Sequence, residues 1–559
     1  MQEYLKLKPS GCKDCYKCIR SCPVKAISFA DNQAQIIEDE CILCGQCYVV
    51  CPQNAKQVRN DIKAVREAVR MGKHVIASVA PSFVAGTGFD TIEDMAEALK
   101  ALGFESVEET AVGAQFVSRE YERIIKSTDN LNGRVMISSC CPAINSLIEK
   151  YYPDLLDNLA RVMTPMQVHC KAIKERVSDA FTVFIGPCVA KKKEADESNY
   201  VDACLTFDEL ANWMGSENVH VLNKPRPHED GKRARFYPTT GGIVRSMDIP
   251  KGLNVITLDG TEACMAALKE IRNGGFSNSF IEMSACTGSC VNGPIVREHS
   301  LRPLYGMVRV EGYAGGADYD AKSPADISAR YMPAGLHRVM PGSAAIQEVL
   351  VAMGKTSPDK ELNCGCCGYP TCRDKAAAVC MGKAEIGMCL PFLREKAESF
   401  SDKIISSTPN AIIVMNEDLI VQQVNIAAQK MFKLRSPDDI VKAPIVRLLD
   451  PTDYMMVVQS GHNIVNKCHY IPEYKIYVEE TITYDAQYKI LISIMRDVTE
   501  REQTREQEME LKRQTVEVTD KVIDKQMRVV QEIASLLGET TAETKLALTK
   551  LKDAMQDGK

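Results

Sequence analysis

The chain has 559 residues, 45% hydrophobic and 25% charged, with a net charge of −6. It is too long for one ordinary domain and globular in composition, and its slight acidic balance gives no reason to expect nucleic acid as a partner. No apolar run approaches the roughly 20 residues needed to cross a bilayer and MQEYLKLKPS lacks an apolar signal core, so a soluble cytoplasmic protein with no membrane partner is expected.

Cysteine is the outlier, at 23 residues in clusters. In a long chain without a secretion signal this points to metal or redox chemistry. The first cluster comes at once: Cys12, Cys15, Cys18 and Cys22-Pro23, then Cys41, Cys44, Cys47 and Cys51-Pro52. The doubled C-x2-C-x2-C-x3-C-P run is the signature of a two-cluster ferredoxin, in which the fourth cysteine of each half serves the other cluster. Cys12, Cys15, Cys18 and Cys51 are therefore assigned to one 4Fe-4S cluster, and Cys41, Cys44, Cys47 and Cys22 to the other. Zinc is the competing reading, but it seldom uses four cysteines at this spacing with a trailing proline.

From about 74 to 300 the pattern alternates between strands and helices. HVIASVAPSF reads as a buried strand ending at Pro81, DMAEALKALGF as a helix, and RVMISSCCPAI and FTVFIGPCVA as β-type runs that each end in cysteine. That alternation predicts parallel sheets, whose sites lie at strand C-termini. Residues 301–360 are Gly/Pro-punctuated and read as less regular, with GKTSPDKEL as a linker. A second group of cysteines spans Cys364–Cys389, a small α+β module fills about 400–500, and the charged tail is helical.

Cys141, Cys188, Cys286 and Cys290 are too widely spaced for a local motif. Here SSCCPAI (138–144), GPCVAKKKE (186–194) and EMSACTGSCVNGP (282–294) resemble the three signature segments of the FeFe hydrogenases, and APS (80–82), TPMQ (164–167) and TTGGIV (239–244) fit the loops of that family's pocket. The resemblance covers roughly residues 1–300. It implies an H-cluster: a 4Fe-4S cubane on Cys141, Cys188, Cys286 and Cys290, with Cys290 bridging to a diiron unit that carries CO and cyanide. Lys191 is the candidate partner of a cyanide. Ser82 and backbone amides near Pro81 and Pro187 are further partners. A plain 4Fe-4S protein that keeps this fold without the diiron unit, as relatives in cluster assembly do, is the competing reading.

Cys140 fits the family's proton-relay thiol. The rest of that relay looks broken, because the ungapped match of ETAVGAQFVSREYERII (109–125) puts Tyr121 and Ile124 where catalytic members carry glutamates; Glu120 and Glu122 flank the first position. Two methionines that normally pack on the diiron unit are replaced by Gly186 and Ser284, which is expected to open the pocket and make it more polar. Similar replacements occur in the sensory members of the family.

Residues 364–389 resemble a small 4Fe-4S module. Cys364, Cys367, Cys372 and Cys389 are taken as ligands, with Cys366 and Cys380 as rivals and a zinc knot as the competing reading. Placed between sensor and output, such a cluster would relay an electron or couple domains. Residues 400–500 resemble a PAS domain with Asn425 in its usual asparagine place; His462, Cys468 and His469 read as ordinary β-region residues rather than ligands. In the tail, Val516, Ile523, Met527, Val530, Ala534 and Leu537 keep heptad spacing, as in a coiled coil. Gly538 and the capping box Thr540-x-x-Glu543 then suggest a helical hairpin. The tail has no histidine to accept a phosphate, so output passes to a separate protein.

The expected architecture is multidomain α/β and α+β. It comprises a two-cluster ferredoxin domain (1–60), an α/β H-cluster domain (74–355), a 4Fe-4S module (361–395), a PAS domain (400–498) and a coiled-coil signalling helix and hairpin (499–559). The resemblance implies four 4Fe-4S clusters plus the diiron subcluster, with hydrogen and protons as substrates and a ferredoxin-type electron partner. It further implies a homodimer through PAS and coiled coil, and a kinase or phosphatase downstream. The leading reading is a sensory FeFe hydrogenase of low turnover in an anaerobe. A working ferredoxin-linked hydrogenase with a regulatory tail, and an iron–sulfur redox protein without a diiron site, are the alternatives.

Overall fold

The structure is a computed structural model that describes residues 4–8, 11–128, 130–224, 231–299, 303–336 and 339–556. The last three residues expected in the C-terminal hairpin, 557–559, lie outside the described residues. The chain forms two compact units, residues 1–393 and 394–559.

In the first unit the N-terminal residues make two small antiparallel pairs, Leu5–Leu7 with Lys56–Val58 and Ile27–Ala30 with Gln33–Ile36. Short helices Lys17–Ser21 and Gln46–Val49 begin inside the two cysteine runs. Two parallel sheets follow. The four-stranded sheet has the order Ser106–Glu109, Val75–Val79, Phe181–Gly186, Ala203–Thr206. The three-stranded sheet has the order Asn254–Asp259, Ser279–Ser284, Val135–Ile137. Val75–Val79 and Ser279–Ser284 are buried at every position, because helical crossovers cover both faces of a parallel sheet. Cysteine or proline follows the C-terminal end of several strands: Pro81 after Val79, Cys140 and Cys141 after Ile137, Pro187 and Cys188 after Gly186, Cys286 after Ser284. The strand-end prediction and the fold dictate the same location for the site.

Residues 301–360 are more regular than their glycines and prolines suggested, with helices Pro303–Tyr313 and Ser343–Ala352 among the described residues. The residues around Cys364–Cys389 do not stand apart on a linker. Tyr369, Ala378, Ala384 and Met388 share one core with Cys18, Ile19 and Cys22 and with Ile144 and Leu147 of the helix after Cys141. Lys25 Nζ donates to the Gly368 carbonyl at 2.9 Å, the Phe29 N–H to the Lys383 carbonyl at 2.9 Å, and Lys383 pairs with Glu40. The expectation of a cluster lying between sensor and output follows chain order. In space this segment packs on the first sixty residues.

The second unit holds a five-stranded antiparallel sheet, in the order Val421–Val424, Ala411–Asn416, Ile490–Asp497, Ile476–Asp485, Ile464–Ile471. Asn425 caps the helix Ile426–Met431 by accepting the Ala428 N–H at 2.8 Å. It also accepts from Ile412 and donates to the Ile405 and Asn410 carbonyls, so one side chain ties four segments. A single helix, Thr499–Gln556, then runs through Gly538 without a break. The hairpin expectation is corrected here, and the heptads give the reason. From Leu537 the repeat continues through Thr541, Thr544, Leu548 and Leu551 with no change of register. Local capping signals at Gly538 and Thr540 yield to a seam that favours a straight helix.

Candidate metal centre

The two parallel sheets converge on one cavity. Cys140, Cys141, Cys188, Cys286 and Cys290 line it, with Pro81, Ser82, Phe184, Pro187, Lys191 and Ser284. All of the central site residues read from the sequence therefore meet in one place, except that Gly186 stands behind Phe184. Among the described residues no three ligating side chains close on a single ion-sized point; the cysteines form the walls of a space.

Burial raises the thiols of this group. Cys188 is pushed up to about 11 by burial first and then by Cys141, and Cys286 and Cys290 are raised further by burial and by their neighbouring cysteines. The raised thiols of Cys188, Cys286 and Cys290, set beside one another and beside Cys141, suit a cationic iron centre, which compensates several thiolates at once. The Ser82 hydroxyl is buried with no hydrogen-bond partner and lines the cavity. A buried unmet donor of this kind fits a bound group that carries acceptors, such as cyanide. Lys191 is held by Glu194 at 2.6 Å and donates to Thr164 at 2.9 Å. Burial works to lower its ammonium, but Glu194, Cys188 and Cys140 outweigh burial and raise it. The next residue, Lys192, points the other way, onto Asp61, Glu209 and the Cys204 carbonyl. One lysine of the pair faces the cavity and the other fastens the segment after Val58 to the sheet.

Cys44 and Leu43 line the same cavity. Gly45 permits this approach: its φ is +73°, and a Cβ there would stand 2.6 Å from the Pro294 ring. On the opposite side Lys150 donates to the Cys41 carbonyl at 2.8 Å and Tyr151 to that of Glu40 at 2.7 Å. The helix Pro142–Tyr151 thus begins beside Cys141 and ends on the Cys41 loop.

Tyr121 is fully buried. Its hydroxyl lies 3.3 Å from Cys140 Sγ and 2.9 Å from Ser139 Oγ, and it accepts the Ser139 N–H at 2.8 Å. Glu120 instead pairs with Arg123 at the surface, and Glu122 accepts from the Asp248 N–H, so residue 121 is the position that faces the thiol. Two groups beside Cys140 were missed by sequence reading. Tyr237, hydrogen-bonded to Ser118 at 2.8 Å, lies against the thiol. Glu282, inside the quoted EMSAC segment, accepts the Gly241 and Val244 N–H groups at 2.9 and 3.1 Å. Burial pushes its carboxyl up to about 7 against those hydrogen bonds. A charged residue in the otherwise buried Ser279–Ser284 strand was the signal available.

The expected opening of the pocket at Gly186 is corrected by Phe184. A Cβ at 186 would lie 2.7 Å from the Phe184 ring, so the aromatic ring occupies the space that a long side chain at 186 would take. At 284 the small polar side chain does face the cavity.

Cys364, Cys367, Cys372 and Cys389 surround a second, smaller cavity with Lys355 and Lys375. Cys366 and Cys380 are exposed and do not line it. Lys375 is fully buried, and burial lowers its ammonium to about 8 although Cys367 and Cys389 pull it up. In the PAS-like unit His462 and Cys468 are exposed, and His469 lies 3.7 Å from Glu480; these three do not converge.

Residues 73–294 match the family of the iron only hydrogenase large subunit, C-terminal domain. Residues 4–52 match a 4Fe-4S dicluster domain, 361–391 an Fe-S cluster family and 400–469 the PAS fold. Iron hydrogenase 1 of Clostridium pasteurianum is 27% identical over 52% of this chain and 64% of its own length. The NADP-reducing hydrogenase subunit HndD of Solidesulfovibrio fructosivorans is 26% identical over 48% of this chain and 57% of its own. The chain thus spans less than two thirds of either relative. A structure of the [FeFe]-hydrogenase HydA1 from Chlamydomonas reinhardtii shares 17% identity with a TM-score of 0.40, over 50% of this chain and all of the other.

Proposed function

We propose that this chain, a homologue of the iron-only (FeFe) hydrogenases over residues 73–294, is a sensory hydrogenase of low turnover. The hydrogen bond between Tyr121 and Cys140 carries this reading, because it puts a neutral, buried phenol where a proton-conducting carboxylate would be needed for throughput. In this reading Cys141, Cys188, Cys286 and Cys290 would hold a cubane, and Cys290 would also be the protein's link to a diiron unit. That unit, when bound, supplies reversible activation of hydrogen at iron. Lys191 and Ser82 would donate to its polar ligands, Pro81 and Pro187 shape the wall, and Phe184 excludes water. Cys140 holds the proton nearest the site, and Tyr121 and Tyr237 keep its thiol oriented.

Cys41, Cys44, Cys47 and Cys22 would hold one 4Fe-4S cluster and Cys12, Cys15, Cys18 and Cys51 another, groups that would supply one-electron transfer between the cavity and the surface; Cys44, which lines the cavity, sets the first set of ligands against the central site. Cys364, Cys367, Cys372 and Cys389 would hold a further cluster, in a segment that packs on the N-terminal core. The protein acts in a reducing cytoplasm, where thiolates stay available to metal. Its outward signal goes through the PAS unit and the Thr499–Gln556 helix, paired with that of a second copy, to a kinase or phosphatase. The alternative, a bulk hydrogenase with a regulatory tail, has the same cavity but requires fast proton supply.

Infrared spectroscopy of the matured chain under hydrogen and under argon tests the cofactor, since CO and cyanide absorb where protein does not. Their absence would overturn the diiron assignment. Hydrogen exchange over residues 498–556 in the two gases tests the signal. Equal protection in both, with turnover like that of a bulk hydrogenase, would favour the alternative.

A further inference from the structure

We propose that Thr110, Ser78, His169 and Glu108 form a second proton path, which leads from the cavity through the four-stranded sheet to solvent. The inference rests on the reading of the cavity as a hydrogen-activating site. Thr110 lines that cavity. Its Oγ1 is 2.7 Å from Ser78 Oγ, which is 2.8 Å from His169 Nδ1. His169 Nε2 is buried without a hydrogen-bond partner and lies 3.4 Å from Glu108 Oε2, at ion-pair separation, so Glu108 is the group it faces. Ser78, Thr110 and His169 are buried, whereas the Glu108 side chain is 27% exposed and also meets Arg176. The chain of polar atoms therefore begins at the cavity wall and ends in water.

Packing does not call for this arrangement. Ser78 interrupts the apolar strand Val75–Val79, and His169 faces it from the helix Pro165–Arg176 between the buried Met166 and Ile173. Each buried polar group costs about 1–3 kcal/mol unless it is paired, and here His169 Nε2 makes no hydrogen bond, so packing gains nothing from the arrangement. Apolar residues of similar size would fill the layer as well. Cys170, which also reaches Ser78, is the other titratable group here, with Asp202 and Lys174 around it.

The bonding pattern gives the path a direction. With Nε2–H turned to the Glu108 carboxylate, Nδ1 is an acceptor, so Ser78 donates to it and accepts from Thr110. For an outgoing proton, Thr110 Oγ1 takes it up and passes its own to Ser78 Oγ. Ser78 passes its proton to Nδ1, and the Nε2 proton goes to Glu108 and then to water. Each residue in the chain gains one proton and loses one, His169 gaining at Nδ1 and losing at Nε2 and so changing tautomer, and the reverse sequence brings a proton inward and restores the starting tautomer. Burial works to raise the Glu108 carboxyl, but His169 and Arg176 outweigh it and hold it below its ordinary value, so it stands ionised at the water end of the path and passes a proton on rather than keeping it. Tyr121 offers no such exit, since it is fully buried and carries no carboxylate.

The test uses the full, matured chain with Ser78→Ala, Ser78→Thr and Glu108→Gln. Two quantities are read: deuterium–hydrogen scrambling with its solvent isotope effect, and the carboxyl stretch in infrared difference spectra on switching from argon to hydrogen. Ser78→Ala is expected to slow scrambling tenfold or more, with the equilibrium CO and cyanide bands unchanged, and Ser78→Thr to restore the rate. Glu108→Gln should slow it likewise and remove the carboxyl band. If Ser78→Ala fails to fold, Glu108→Gln at the surface still decides. CO and cyanide bands present in all variants, with scrambling and isotope effect unaltered, would overturn the path and leave the proposed function standing. Wild type without those bands would overturn both.

Discussion

Tyr121 Oη stands 3.3 Å from Cys140 Sγ while it accepts the backbone N–H of Ser139 at 2.8 Å. The phenol is thus a fixed part of the wall behind the thiol, held from two sides. Tyr121→Phe leaves the Ser139 N–H buried without its acceptor, which is expected to cost about 1–3 kcal/mol in denaturant unfolding. Tyr121→Glu is the informative change. A carboxylate beside Cys140 should raise hydrogen turnover, by about tenfold, since a positioned acid–base group typically contributes 10²–10⁴ and only one of the two missing places is refilled. Ile124→Glu together with Tyr121→Glu should exceed the single variant. Unchanged turnover in both would mean that proton supply does not limit this chain.

Iron content separates the cluster assignments. Sixteen of the 23 cysteines are assigned to four cubanes, so the matured chain should hold about 18 iron atoms, four per cubane plus two. Cys367→Ser should remove about four of them and leave the infrared bands of the diiron unit in place. Cys290→Ala should abolish those bands. Cys366→Ser and Cys380→Ser, at exposed positions outside the second cavity, should change neither quantity.

How far the sequence could lead is clear from these cysteines. Ligands close in the chain announce themselves by spacing, and the separated set Cys141, Cys188, Cys286 and Cys290 was recognisable only because flanking residues repeat a known pattern. The relay position at 121 was reached through an ungapped match with Glu120 and Glu122 one residue away on either side, and only the Tyr121–Cys140 contact in the fold fixes that register. Phe184 filling the space beside Gly186 was not, since strand residues two apart share a face but their side chains' reach depends on the neighbouring strand. The docking of Tyr369 and Met388 on Cys18 and Ile19 joins segments some 350 residues apart, and no local pattern encodes it. Ser78 and His169 drew no notice in the sequence, and only the fold brings them to Thr110 and Glu108.

Glu282 gives the metal-free chain a pH signature. Its carboxyl is raised from 4.5 to about 7, chiefly by burial. A raised acid binds its proton more tightly when folded than unfolded, so its contribution is complete below about pH 4.5 and is lost as pH rises toward 7. The window spans about 2.5 units, or on the order of 3 kcal/mol. Unfolding by urea at pH 5 and pH 7.5 should show this loss, and Glu282→Gln should flatten it. An equal slope in the variant would assign the dependence to other groups.

The last prediction concerns the long helix. Met509, Val516, Ile523, Met527, Val530 and Leu537 are more than half exposed along one face of the 58-residue helix Thr499–Gln556. An apolar face of that length is not stable alone in water, and its heptad spacing fits an equivalent helix from a second copy. Val530→Lys, in the middle of the seam, should shift the chain from dimer to monomer in sedimentation at micromolar concentration. Gly538→Ala distinguishes a continuous helix from a hairpin. Nothing lies within 4 Å of a Cβ at 538, so in a straight helix the change removes the conformational freedom of glycine and should stabilise the segment by about 1 kcal/mol. In a hairpin the same glycine would sit at a left-handed turn, where alanine costs energy. A rise in the melting temperature of the helix on Gly538→Ala, with the dimer intact, is the result the single seam demands. A fall would restore the hairpin and shorten the surface on which a partner can read the signal.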